Sequence, residues 1–209
     1  MTRRLIQLFL GLSLYGLSLS LMIRAALGLD PWDVFHQGLA SESGISIGMM
    51  VNLVGAFVLL LWLPLRQRPG IGTIANILVI GTVADIGLWL IPELHSLPLR
   101  IALMAAAIVL NGIATGAYIG AGLGPGPRDG LMTGIVKRTG LSVRLVRTSI
   151  EIFVLAVGWL LGGTVGVGTI LYAICIGPIV HRTLPFFAIK DRDPKTRPKP
   201  APIPDISGL

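Results

Sequence analysis

The sequence predicts an all-α, polytopic membrane protein of two inverted repeats, each with three transmembrane helices and one short half-helix. Three observations predict it. The chain is 53% hydrophobic and 13% charged, with mean hydropathy +0.81, whereas a soluble domain carries about 25% charged residues. The second half repeats the first at a fixed offset of 96 residues. Basic residues gather beside alternate apolar segments, as the positive-inside rule requires of cytoplasmic loops.

The repeat is the firmest of these. Gly16, Gly28, Gly38, Gly44, Gly70, Gly72 and Gly81 fall on Gly112, Gly124, Gly134, Gly140, Gly166, Gly168 and Gly177. Pro31 meets Pro127, Asp33 meets Asp129, Ser46 meets Ser142 and Thr73 meets Thr169. From Leu14 to Leu88, 22 of 75 aligned positions are identical. Chance matching of Leu, Ile and Val inflates such a count, but it does not place seven glycines in one register. Repeats are recognised before a fold is assigned. This one divides the chain into 1–98, 99–187 and a remaining tail, 188–209.

Each repeat holds three long apolar segments: 5–26, 47–65 and 71–91, then 99–122, 143–161 and 167–186. Each is close to the roughly 20 residues that cross a bilayer. Segment 5–26 follows Thr2-Arg3-Arg4 and has the look of a signal peptide. Its counterpart is an internal span, so a retained helix is expected. Between the first and second spans of each repeat lies a short element, 31–40 or 127–136. Ten helical residues rise about 15 Å, half the hydrocarbon thickness. These elements are expected to be half-helices or surface helices.

The loops set the orientation. Arg3, Arg4, Arg66, Arg68, Lys137, Arg138, Arg144, Arg147 and Arg182 fall on one side if the short elements do not cross. Arg24 and Arg100 fall on the other. Both termini are then cytoplasmic, in a cell membrane. Three crossings per repeat is an odd number, so the two repeats are inverted. The pI of about 10.3 therefore reflects topology, with no nucleic-acid partner expected. The tail after Phe187 is basic and proline-rich, and it is expected to be disordered and cytoplasmic, where it stays in solvent or lies on anionic lipid.

The paired motif is Asp30-Pro31-Trp32-Asp33 and Gly126-Pro127-Arg128-Asp129. Proline suits the first helical position, and Asp30 and Gly126 suit the cap. Asp33 and Asp129 sit third, where a carboxylate can bond back to the cap N–H and favours the positive end of the helix dipole. Two readings remain open. The aspartates cap short surface helices, or the half-helices re-enter the membrane and frame a substrate site. Paired broken helices in an inverted repeat point to such a site. Candidate residues are Pro31, Trp32, Asp33, Pro127, Arg128 and Asp129. Arg128 stands where the first repeat has Trp32. It draws an anionic group, pairs with Asp129 or marks the cytoplasmic side.

Asp85 lies within the third span, and an intramembrane carboxylate is a functional candidate. Either it couples protons or it pairs with Arg24 or another buried donor. Glu151 lies one turn after Arg147, the spacing of an ion pair. Asn52, Asn76 and Asn111 are candidates for interhelical hydrogen bonds. His36 has no companion at metal-ligand spacing, and Cys175 is alone. No Walker, HExxH, GxSxG or CxxC pattern occurs, so neither enzyme activity, metal nor cofactor is expected.

The stretches Ala26-Leu-Gly-Leu-Asp-Pro-Trp-Asp-Val-Phe-His-Gln-Gly-Leu39, Gly44-Ile-Ser-Ile-Gly48, Arg68-Pro-Gly-Ile-Gly-Thr73 and Gly124-Pro-Gly-Pro-Arg-Asp-Gly-Leu131 resemble the YczE/YyaS/YitT group of bacterial membrane proteins, the YczE branch above all. The resemblance implies a small multi-pass protein of the bacterial cytoplasmic membrane and carries over no substrate. The expected function is that of a small secondary transporter or permease for an unknown solute. The competing expectation is a non-transporting membrane partner or scaffold that positions another protein. The bilayer is the expected partner in both, and self-association is open.

Overall fold

The 96-residue register sets the helix boundaries. A computed structural model describes residues 1–189, and every regular element among them is a helix. They are α1 (Thr2–Ala25), α2 (Pro31–Ser43), α3 (Ile47–Leu60), α4 (Trp62–Leu65), α5 (Ile71–Leu90), α6 (Leu97–Gly120), α7 (Pro127–Thr139), α8 (Val143–Leu160) and α9 (Val167–Phe187). The starts of α2, α3 and α5 recur 96 residues later at the starts of α7, α8 and α9. The caps recur as well. Ser46 accepts from the Met49 amide and Ser142 from the Leu145 amide, while Gly44 and Gly140 close α2 and α7 in the left-handed region.

Both half-helices are 13 residues long, three more than expected. They run on to the next glycine, Gly44 or Gly140, which ends each helix in the left-handed conformation. That length rises about 20 Å, still short of a bilayer core. The tail at 190–209 lies outside the described residues. Of the expected tail 188–209, residues 188 and 189 are described, and Ile189 N–H donates to the Gly120 carbonyl.

Five segments are long and apolar enough to cross a membrane: Thr2–Ala25, Ile47–Leu65, Ile71–Leu90, Leu97–Gly120 and Val167–Phe187. The sixth expected span, α8, forms as an 18-residue helix but does not qualify by composition. Arg144, Arg147 and Glu151 interrupt its first half.

The first spans of the two repeats, α1 and α6, lie side by side at the centre, flanked by α5 and α9. Leu8, Leu12, Leu19 and Met22 of α1 and Met104, Ala107, Ile108 and Ala114 of α6 are buried. In lipid the hydrophobic effect adds little between helices, so close packing and interhelical hydrogen bonds carry the association. Asn111 donates to the Ser18 hydroxyl (2.8 Å) and accepts from the Tyr172 hydroxyl (3.0 Å), tying α1, α6 and α9 together. The outer faces expose Phe57, Leu60, Trp89, Phe153, Leu160 and Phe186, the apolar surface a bilayer covers.

The repeats exchange contacts. Gly72 N–H donates to the Leu123 carbonyl (2.8 Å) and Gly168 N–H to the Leu27 carbonyl (2.7 Å). These bonds are equivalent under the offset, and each crosses between repeats. The exchange is reciprocal between the two repeats. Each half-helix likewise packs on the second span of the other repeat, α2 on α8 and α7 on α3. The two crossings differ in closeness. At Gly38 and Gly158 the backbones of α2 and α8 touch, and a Cβ on either glycine would strike main chain. At the equivalent crossing Trp62 replaces Gly158, and its ring packs over Gly130 of α7.

Candidate functional site

The connection from α1 to α2 turns at Gly28 (φ 113°), and that from α6 to α7 at its counterpart Gly124 (φ 127°). Only glycine adopts such angles without strain. The turns aim the N-terminal ends of α2 and α7 at the protein's interior. Trp32, Asp33, Val34 and His36 are buried, as are Pro127 and Gly130, while the helix ends at Gly44 and Gly140 are exposed.

Asp30 caps α2, as expected, accepting from the amides of Trp32 (2.9 Å) and Asp33 (3.1 Å). Asp33 does not bond back to the cap. Its Oδ1 meets His36 Nδ1 at 3.1 Å, one helical turn on. Asp30 and Asp33 are only 1% and 2% exposed, and Oδ2 of each has no hydrogen-bond partner among the described residues.

The cation for this pair comes from the other half-helix. Arg128 Nη1 lies 3.5 Å from Asp30 Oδ1. Its Nη2 donates to the Tyr15 hydroxyl at 2.5 Å. Its guanidinium carbon lies 5.7 Å from the Trp32 ring centre and 5.9 Å from that of Tyr15, within cation–π range. Arg128 therefore pairs with Asp30 and not with Asp129. Of the three readings, the contact fits the one in which Arg128 draws an anionic group, here the Asp30 carboxylate, because α7 points its first turn inward, across the repeat boundary. Asp129 accepts instead from the Tyr118 hydroxyl at 3.3 Å.

These groups line a cavity of about 650 Å³, a volume suited to a small solute. Its inner end holds Tyr15, Asp30, Trp32 and Arg128, and its walls include Tyr118, Asp129, Met132, Glu151 and Tyr172. It lies between α8 and α9, and the sequence accounts for their separation. In the first repeat α3 closes on α5, with Gly48 against Gly81. Asp85 secures that seam, accepting from the Ser46 hydroxyl (2.6 Å) and the Gly48 amide (2.8 Å). In the second repeat Arg144 replaces Gly48 and His181 replaces Asp85. The bulk of Arg144 blocks backbone approach, and no carboxylate remains to hold the α8 N-terminus. Gly177, the counterpart of Gly81, faces open space.

Residues 2–185 match a family described as a family of unknown function, DUF6198. The chain belongs to this family. It is similar to an uncharacterized protein of Haemophilus influenzae (41% identical over 174 residues, 83% of this chain and 80% of the relative). It is similar also to an uncharacterized membrane protein of Bacillus subtilis, YczE (38% over 179 residues, 85% and 83%), and to that organism's YyaS (24% over 180 residues, 84% and 90%). No solved structure matches. The comparisons bear out the YczE-type resemblance and a multi-helix protein in contact with the bilayer.

The structure of this DUF6198 chain brings all six P-x-D residues to one region, but unequally. Trp32, Arg128 and Asp129 line the cavity with Pro31. Asp33 lies behind them, and Pro127 gives its carbonyl to the Trp62 indole N–H (3.0 Å). Glu151 pairs with Arg147 at 2.9 Å, as its spacing predicts, and both line the cavity. Asp85 is remote from it. Of the partners considered for it, Arg24 bonds the Leu88 carbonyl and Glu93, and Asp85 takes other donors, the Ser46 hydroxyl and the Gly48 amide at the α3 N-terminus. Among the described residues no group of His, Cys, Asp or Glu is arranged to hold a metal.

The missed residues are tyrosines. The chain has three, and all of them, Tyr15, Tyr118 and Tyr172, line the cavity. The available signal was their position. Tyrosine in a membrane helix favours the interface, and these sit inside apolar segments where a hydroxyl needs a polar partner.

Proposed function

We propose that this DUF6198 protein is a small-solute permease of the cytoplasmic membrane. Its solute site is the cavity at which the two half-helices meet. One observation carries this reading: the N-terminal ends of α2 and α7, equivalent in the repeat, converge through the Arg128–Asp30 contact on a cavity whose mostly apolar lining carries charged and tyrosine side chains. Irregular backbone at membrane depth is tolerated where protein or a water-filled cavity surrounds it. Broken helices paired in this way are the usual site-builders of secondary transporters.

In this reading the repeats are inverted, and α8 is the sixth crossing. Its Arg147 and Glu151 line the cavity, where charges are tolerated at membrane depth. The cavity is built from the ends of α6, α8 and α9 nearest the basic loops, so it faces the cytoplasm, as do both termini. The α3–α5 seam held by Asp85 is the closed gate on the opposite path. Transport rather than catalysis is the function. The scaffold reading draws support only from the outer apolar faces, which lipid itself covers.

The test is a cysteine in place of cavity-lining Met132, in a Cys175→Ala background. A membrane-impermeant methanethiosulfonate reagent should modify it in inside-out vesicles and leave it untouched in right-side-out cells. A thiol inert in both preparations removes the support for transport.

A further inference from the structure

The cavity's charges are unevenly paired. Four carboxylates belong to it or lie directly behind it: Asp30, Asp33, Asp129 and Glu151. Two guanidinium groups and an imidazole answer them, His36 meeting Asp33 at 3.1 Å, while His181 lines the cavity outside these pairs. Arg128 is committed to Asp30, and Arg147 to Glu151 at 2.9 Å. Asp129 lines the cavity with only the Tyr118 hydroxyl on its Oδ2. Among the described residues no basic nitrogen forms an ion pair with it. Deeper in, Oδ2 of Asp30 is fully buried at the cavity's inner end with no partner.

An unpaired carboxylate in a low-dielectric site is costly unless a cation joins it. The walls add a second preference of the same sign. Tyr15, Trp32, Tyr118 and Tyr172 present aromatic rings to the space, and ring faces attract cations. Arg128 already exploits two of them, resting over Trp32 and Tyr15. A volume of about 650 Å³ exceeds what a bare inorganic ion fills. We propose that the solute is a small organic cation, an ammonium with apolar arms. Its charge lies at Asp129, and its apolar part rests among Tyr118, Tyr172 and Met132. The proposal rests on the permease reading and adds the chemical class of its solute.

Three probes of matched shape test it: benzylammonium, benzyl alcohol and benzoate, titrated calorimetrically into the purified full-length protein in nanodiscs. Benzylammonium should bind at least tenfold more tightly than either of the others. Asp129→Asn should lose that preference, and Asp129→Glu should keep most of it. Glu93→Gln, at an exposed ion pair away from the cavity, should change nothing. Tighter binding of benzoate, lost on Arg128→Gln, overturns the proposal in favour of an anion. Equal affinity for all three overturns it in favour of an apolar cavity. If none binds while the thiol at position 132 stays reactive, the cation assignment fails and the permease reading stands. If none binds and that thiol is inert, both fail. The wild-type ranking decides the class even where a variant does not fold.

Discussion

Arg128 Nη1 stands 3.5 Å from Asp30 Oδ1, joining the first turn of one half-helix to the cap of the other. The two residues are 98 positions apart and belong to different repeats. This contact makes one site of two motifs. Arg128→Ala leaves Asp30 buried without a counter-charge. Breaking such a pair costs about 3 kcal/mol, the low end of the usual range, because the arginine side chain is 32% exposed to the cavity. Thermal unfolding in detergent should show a clear drop in Tm. The double variant Arg128→Ala/Asp30→Asn should recover part of it, since the neutral amide keeps the cap and carries no charge. A single variant as stable as the wild type contradicts the account.

Trp62 packs its ring over Gly130 while its indole bonds Pro127. Gly130→Val puts a branched side chain where the ring lies. Overpacking of this kind costs about 1–3 kcal/mol. The same variant should expose Trp62, which is 2% exposed in the native fold. Its tryptophan emission should shift to the red and become more quenchable by acrylamide. An unchanged spectrum would show that Trp62 does not pack there.

Asp85 closes the seam between α3 and α5 through Ser46 and Gly48. Asp85→Ala removes both acceptors. The expected result is access to the cavity from the second side: a thiol at position 132 becomes reactive in right-side-out cells as well as in inverted vesicles. Ser46→Ala, which leaves the Gly48 amide bond, should have a smaller effect. Reactivity confined to inverted vesicles in Asp85→Ala would show that this seam is no gate.

Orientation is checked by fusions. A reporter placed after Glu93 should be active on the periplasmic side, and one after Lys137 on the cytoplasmic side. Opposite sidedness at these two points is what inversion demands, and the same side at both would break it.

Much of the fold was legible because membrane helices obey local rules. Length, apolar composition and capping residues act within one helix, and the offset of 96 residues places both sets of boundaries together. The half-helices were legible for the same reason, since proline starts them and glycine ends them. Partner choice was not. Arg128 stood between three readings, Asp85 between proton coupling and pairing with Arg24 or another buried donor, and the tyrosines carried no motif. Each of these contacts joins residues far apart in the chain, and their separation is fixed by how helices cross.

By itself, then, the sequence determined a helical membrane protein made of two matched halves, with a break in each at Pro31 and Pro127. It also determined the unequal pairs Gly48/Arg144, Asp85/His181 and Trp62/Gly158. Only the tertiary structure decided what those inequalities do. Where glycine and aspartate allow backbones to touch, α3 closes on α5. Where arginine and histidine stand instead, α8 remains apart from α9. The cavity lies in that difference, because packing distance depends on the side chains from two helices at once and no single segment contains both.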